Sequence, residues 1–238
     1  MSPDAEGEEK EGESPSRPGP SLEIRSFTGG AFGENTYLVR CTGTDRAVIV
    51  DPGAATPQLL DHVRSEGLRV EGVYLTHAHL DHVEGLPAVM QAMDVPIHLH
   101  PADLPLYQRA ADQAQAFGMR LEGELPTIDH EIEVGSQLPV GDCRLEVAFA
   151  PGHAPGHVIF HSPADGVALV GDVVFAGSIG RTDLPGGDMR QLMDSIRAEI
   201  LTLPEETRLL PGHGPETTVA RERIGNPFLI AQQPGERA

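Results

Sequence analysis

Three histidines and an aspartate stand within six residues, in the run His77-Ala78-His79-Leu80-Asp81-His82. Imidazole nitrogen and carboxylate oxygen are the donors that borderline divalent cations such as zinc accept readily. His77 and His79, two apart, project to the same side of an extended segment and can grip one ion. Asp81 and His82 come where the chain turns toward a following helix, so they aim differently and suit a neighbouring ion. A lone His-x-His is weak evidence of a metal site. Four such groups crowded together are strong evidence, because a solvated loop has no reason of its own to hold them.

The elements that would position these groups share one pattern. Apolar "VYLT" runs into "HAHLDH", "EVAFA" into "PGHAPGH", "VALV" into "GD" and "RLL" into "PGHG". Loops placed by rigid strands are where catalytic groups usually sit. Four strand ends carrying His or Asp converge if they lie on one edge of the fold.

Periodicity extends the reading. "LEIRSF", "NTYLVR" and "AVIVD" read as strands, the last two joined at "CTGTD"; "TPQLLDHVRSEG" has helical spacing and stops at Gly67. "VEGVYLT" is a strand, "VEGLPAVMQAM" a short helix, "VPIHLH" a strand and "DLPLYQRAADQAQAF" a helix. "QLPVGDCRLEVAFAPG" reads as a hairpin turning at Gly141-Asp142, followed by strands "HVIFHS" and "VALVGDVVF". "GDMRQLMDSIRAEIL" is a helix, "TRLLPGH" a strand, and a last helix falls near 217–224. Two halves that each mix strands with helices suggest an α/β fold, with two sheets face to face and helices outside. No short repeat is visible.

Composition sets the bounds. The 238 residues carry a net charge of −19, which opposes nucleic-acid and anionic-membrane binding. Lys10 is the single lysine, so every other basic side chain is arginine; a high-salt habitat or a GC-rich genome would each give that bias. Residues 1–20, acidic and rich in Pro, Gly and Ser, are expected to form a disordered tail, with one domain over 21–238. Cys41 and Cys143, far apart and outside any Cys-x-x-Cys spacing, read as free thiols of a reducing cytoplasm. With no apolar leader and no long apolar run, a cytoplasmic location is expected.

Together, "THAHLDH", "PGHAPGH", "GDVVF" and "LLPGHG" resemble the metallo-β-lactamase fold superfamily, specifically its glyoxalase II-like hydrolases. The resemblance runs from about Phe27 to the last helix, with four motifs in family order. It implies an αββα sandwich holding two divalent metals, zinc foremost with iron or manganese as alternatives, at one edge of the sheets. Carried over by position, His77, His79 and His153 would hold the first metal, Asp81, His82 and His213 the second, and Asp172 would bridge them. His157 reads as a residue that orients a ligand or its loop. His98 and His100 have ligand spacing without a carboxylate, and His62, His130 and His161 read as surface or core residues.

Two cations about 3.5–4 Å apart lower the pKa of a shared water toward neutrality, and the hydroxide attacks a carbonyl carbon. Asp81, the candidate catalytic residue, would also hold that hydroxide in line. The resemblance implies a small thioester of the S-(2-hydroxyacyl)glutathione type as substrate. Ser178, in "GSIG", lacks the nucleophile-elbow pattern. "GSIGRTDLPGGD" resembles the loop that sets a basic residue against the thiol carrier, which makes Arg181 the candidate substrate contact; pairing with Asp183 or Asp188 is the plainer reading. Only 25 residues follow His213, as in a short bacterial subgroup without the C-terminal helical domain, which weakens the case for glutathione. The alternatives are a persulfide dioxygenase using one Fe(II) on His77, His153 and Asp172, and a hydrolase of lactones or other esters. "GRTD" is shared with the dioxygenases, but Ile179 stands where those often carry Cys.

Overall fold

The computed structural model describes residues 19–230, so all but the last two positions of the expected tail lie outside the described residues. One sheet runs in spatial order β1 (Leu22–Gly29), β2 (Glu34–Cys41), β3 (Arg46–Val50), β4 (Arg69–Tyr74), β5 (Ile97–Leu99), β6 (His130–Glu131). The other begins with β7 (Gln137–Val140), β8 (Cys143–Phe149), β9 (Val158–Ser162) and β10 (Val167–Gly171). A two-stranded ribbon, β11 (Val174–Phe175) and β12 (Ser178–Ile179), follows. The second sheet is then completed beside β10 by β13 (Arg208–Pro211) and β14 (Thr217–Thr218). Each sheet opens as an antiparallel meander and continues through parallel pairs, β3 with β4 and β10 with β13.

The layers follow from alternation. Successive strand residues face opposite ways, so Ala47 and Ile49 of β3 pack toward the helices while Val48 and Val50 pack toward the other sheet. In β10, Val167 and Leu169 face the first sheet, and Ala168 and Val170 face the helices of the second half. Both faces of these strands are buried, which is why they read as unbroken apolar runs. On the first sheet lie α1 (Thr56–Glu66), α2 (Leu80–Val83), α3 (Leu86–Ala92), α4 (Leu104–Tyr107) and α5 (Ala110–Ala116). On the second lie α6 (Met189–Ser195), α7 (Val219–Gly225) and α8 (Pro227–Ile230). In α1, Leu59, Leu60 and Val63 form the buried stripe, and Gly67 ends the helix in the left-handed region at φ 63°. The result is the expected αββα sandwich. Among the described residues no helix is long and apolar enough to cross a membrane.

Four local expectations need correction. The run "VALVGDVVF" is not one strand: Gly171 takes φ +47° and the ladder stops there. The helix expected over 103–117 is two helices, because the Arg109 amide bonds three residues back to the Leu106 carbonyl and closes the first. The helix expected near 217–224 starts at Val219, since Thr218 is extended and accepts the Arg221 N–H as an N-cap, and it is followed by the short α8. Cys41 and Cys143 are paired in a disulfide rather than free. They sit on β2 and β8, and stacking the sheets brings their Cα atoms to 5.6 Å across a separation of 102 residues. Only the tertiary fold carries that proximity.

Candidate metal centre

The edge of the sandwich is held together by backbone bonds between strand ends. The Val158 N–H donates to the Thr76 carbonyl (2.8 Å), joining the end of β4 to β9. The Gly212 N–H donates to the Gly171 carbonyl (2.8 Å) and the Asn35 N–H to the Gly212 carbonyl (2.8 Å). These bonds gather the loops after β4, β8, β10 and β13, which carry the seven expected residues.

All seven meet. His77, His79 and His153 form one group of donors and Asp81, His82 and His213 another, each with its ligand atoms within 4.8 Å of one another. Asp172 lies between them: Oδ2 is 3.4 Å from Nε2 of His153 and 3.4 Å from Nε2 of His213, and Oδ1 is 3.4 Å from Nε2 of His82. Asp81 Oδ2 stands 3.2 Å from His213 Nε2. Asp81 and His82 ride on the one-turn helix α2, which turns them away from the face that His77 and His79 share.

The outer ring nitrogens are tied down, which fixes what the inner ones can do. His82 Nδ1 donates to Asp51 Oδ2 (3.0 Å), and Asp51 also accepts the Thr76 N–H (2.7 Å) and hydroxyl (2.6 Å). With its own proton given to Asp51, the Thr76 hydroxyl accepts from His77 Nδ1 (3.0 Å). His153 Nδ1 donates to the Arg181 carbonyl (2.8 Å) and His213 Nδ1 to the Phe32 carbonyl (3.1 Å). Each ring therefore turns its Nε2 inward, unprotonated on His77 and His153, and on His82 and His213 facing the Asp81 and Asp172 carboxylates. His79 points Nδ1 at the same place, 2.8 Å from His153 Nε2. Nε2 of His77, His79 and His82 and Oδ1 of Asp172 are buried without a hydrogen-bond partner. Buried orphans on that scale call for a ligand, and the donor set of imidazoles and carboxylates fits a pair of divalent cations.

Charge divides the cluster in two. Burial, with the neighbouring histidines adding to it, holds His77 neutral, far below its usual range, and pushes His79 down to about 3. His153 is likewise lowered by burial. At His82 burial acts the same way but is outweighed by the Asp172 and Asp81 carboxylates, so its pKa rises. His213, hydrogen-bonded to those two acids against its own burial, is pushed up to about 10. Asp172 stays ionised despite burial because His82 and His213 flank it.

Backbone shape is as necessary as the donors. A Cβ on Gly171 would stand 2.6 Å from Thr76 Oγ1 and 2.7 Å from His157 Nε2. One on Gly212 would stand 2.2 Å from Asp172 Oδ1 and 2.6 Å from His82 Cε1. His157 stacks on His77 at 4.6 Å and accepts the Asp172 N–H at Nε2 (3.0 Å), so it orients the Asp172 loop from beneath.

Several expectations for other residues can now be placed. Arg181 lines the cleft, and its exposed guanidinium is bidentate to Asp183 at 2.7 Å for both bonds; Asp188 instead caps α6. His98 packs on Tyr74 and His130, away from the cluster, and His100 caps the short 3-10 turn at Pro101–Asp103. His62 lies against Phe27, and His161 near Glu146.

Three supporting residues escaped the sequence reading. Asp51 ends β3 just as Asp172 ends β10, with an apolar run leading into an acid, so the signal was present. Asp103 is fully buried and accepts the Ala78 N–H (2.8 Å) and the Gly156 N–H (2.5 Å), fastening the two His-bearing loops together. Gln113 on α5 accepts the Leu80 N–H (3.0 Å) and donates to the Ala78 carbonyl (3.1 Å). Neither of the last two has a sequence signal. Above the donors opens a cavity of about 340 Å³ walled by Phe32, Phe117, Phe175, Ile179, Leu184 and Arg181.

Comparison with known proteins agrees with this geometry. The chain is 38% identical over 87% of its length to the Bacillus subtilis "Probable metallo-hydrolase YqgX", covering 98% of that protein. It is 36% identical over 88% of its length to the Haemophilus influenzae "Hydroxyacylglutathione hydrolase GloC", again covering 98%. Among solved structures, TTHA1623 "in a di-iron-bound form" superposes with a TM-score of 0.79 at 41% identity, over 86% of this chain and all of that one. The model of the Metallo-beta-lactamase superfamily matches residues 29–213, which takes in all seven clustered side chains, and the chain belongs to that superfamily.

Proposed function

We propose that the protein is a binuclear metallohydrolase that cleaves thioesters of the S-(2-hydroxyacyl)glutathione type. The observation that carries this reading is the convergence of two intact donor groups on the Asp172 carboxylate, with imidazole nitrogens facing inward. His77, His79 and His153 would hold one cation, Asp81, His82 and His213 the other, and Asp172 both. Bound there, two divalent cations, zinc or iron, supply a hydroxide nucleophile at neutral pH and stabilise negative charge on a carbonyl oxygen.

The chain's own residues do the rest. Asp81 beside His213 and Asp172 accepts a hydrogen bond from the attacking group and holds it in line. A thiolate leaves without a general acid, so cleavage of a thioester asks for no further proton donor in the cleft. Arg181 would meet an anionic thiol carrier: its present partner Asp183 is an exposed ion pair of small net worth, easily exchanged for a substrate carboxylate. The relative named for hydroxyacylglutathione hydrolysis supports the substrate class.

The test joins metal analysis to two assays on aerobically handled protein. Two metals per chain and release of free thiol from S-lactoylglutathione support the reading. One iron per chain and oxygen uptake with glutathione persulfide overturn it in favour of a dioxygenase. Asp172→Ala should abolish turnover while leaving the circular dichroism spectrum intact. Loss of the fold instead would mark a structural metal.

A further inference from the structure

Beside the cleft lies a second cavity, of about 360 Å³. It shares His79, Gln113, Phe117 and Leu184 with the metal-site cavity, so the two are continuous. Its walls are mostly hydrocarbon, with Leu106 and Ala116 from one segment and Pro155, Leu184 and Pro185 from others, beside the polar His79, Gln113, Arg109 and Asp112. Arg109 stands at the far rim with its guanidinium already on Asp112 (3.3 Å). Arg181 borders the metal-site cavity and does not reach this one.

The wall is fixed to the metal centre at two points. Asp103 at its start bonds the Ala78 and Gly156 amides, and Gln113 in its middle bonds Leu80, Ala78 and Leu106. A groove so anchored is pre-formed, and anything seated in it lies at a set distance from His79. At the junction Phe117 meets Phe32 edge to face at 5.2 Å, and both rings are more than a third exposed. Exposed aromatics beside an apolar groove mark a surface that is covered when ligand binds.

We propose that this groove receives the acyl chain of the substrate, and that the preferred substrates are acyl thioesters with an apolar chain well beyond the two carbons of an acetyl group. The assignment of the groove to the acyl arm rests on the proposed function, in which Arg181 takes the polar thiol carrier at the other end of the cleft. The polar groups along it are already engaged, Arg109 with Asp112 and Gln113 with the Leu80, Ala78 and Leu106 backbone, so the hydrocarbon between them favours an apolar arm over a charged or heavily hydroxylated one. Lengthening the chain therefore transfers methylenes from water to Phe117, Leu106, Leu184 and the two prolines.

The experiment uses the metal-loaded full chain and one constant thiol, with acetyl, butanoyl, hexanoyl and octanoyl thioesters. Burial of each methylene predicts kcat/KM rising about three- to fourfold per CH₂ until the groove is full. Phe117→Ala removes a wall, and Ala116→Trp fills the groove from an exposed helix position; each should flatten that slope. No dependence on chain length in the wild type overturns the proposal, as does a slope that both variants leave unchanged. If no thioester is hydrolysed, the proposed function fails separately, and calorimetric titration with butanoate, hexanoate and octanoate decides the groove. Affinity that climbs with length and is weakened in both variants supports it. Affinity indifferent to length or to the variants overturns it.

Discussion

At the scale of single residues, the metal centre depends on partners that touch no metal. Asp51 holds both His82 and, through Thr76, His77, which sets the tautomer of one ring in each donor group. Asp51→Asn can keep only part of this pattern, because an amide nitrogen cannot accept from Thr76 or His82. Loss of such an outer partner typically costs about 10–100-fold in metal affinity or activity. A competitive chelator titration should show that weakening with the fold preserved; unchanged affinity would assign Asp51 to packing alone. Asp103 titrates in a useful range, since burial raises its carboxyl to about 6 against the two amide bonds it accepts. The folded pKa lies above the unfolded one, so this group favours folding most below about pH 4 and loses that contribution as pH rises through 6. The stability of wild type relative to Asp103→Asn should therefore fall by about 3 kcal/mol between pH 4 and 7 and then stay flat. Denaturant unfolding of both proteins across that range measures it, and a flat difference throughout would contradict the burial argument.

At the scale of elements, the disulfide is the feature with the largest expected effect. It ties β2 of one sheet to β8 of the other and closes a loop of about a hundred residues, for which chain entropy predicts about 4–5 kcal/mol. A reducing agent, or Cys41→Ser, should lower the denaturation midpoint accordingly, and two titratable thiols in the untreated protein would contradict the pairing. This was the clearest failure of the sequence reading: spacing rules recognise local Cys pairs, whereas Cys41 and Cys143 are neighbours only once the sheets stack. Strands were legible where both faces are buried, as in "AVIVD" and the first half of "VALVGDVVF", although the stop at Gly171 was not read. Helix limits between 101 and 117 were not. The break falls where the Arg109 amide turns to the Leu106 carbonyl, between Tyr107, which bonds the Pro126 carbonyl, and Gln113, which bonds the His79-bearing loop, contacts that periodicity does not carry. Of the seven clustered residues, His77, His79, Asp81 and His82 were readable from their spacing and His153, Asp172 and His213 through the family resemblance, and Asp103 was not because any buried acceptor of two amides would serve.

At the scale of the whole molecule, the chain combines 36 acidic with 17 basic side chains and a single lysine. Self-repulsion of that order destabilises the compact state and is screened by salt. The melting temperature of the metal-loaded protein should rise as KCl is increased from about 0.01 to 1 M, where the Debye length falls from about 30 to 3 Å. A melting temperature that is constant or falling would mean that the acidic groups are already offset locally by their arginine partners. The same charge bears on substrate choice, since a net negative surface repels anionic thioesters unless the cleft supplies an opposing local field.

Whether the edge where β4, β8, β10 and β13 deliver their loops carries two cations is most directly measured by anomalous diffraction from a crystal grown with zinc or iron. The account predicts two peaks about 3.5–4 Å apart. Oxygens of Asp172 should lie at bonding distance from both, about 2.0–2.2 Å, with His77, His79 and His153 on one ion and Asp81, His82 and His213 on the other. A single peak at full metal loading, or an Asp172 carboxylate turned away from either ion, would contradict it.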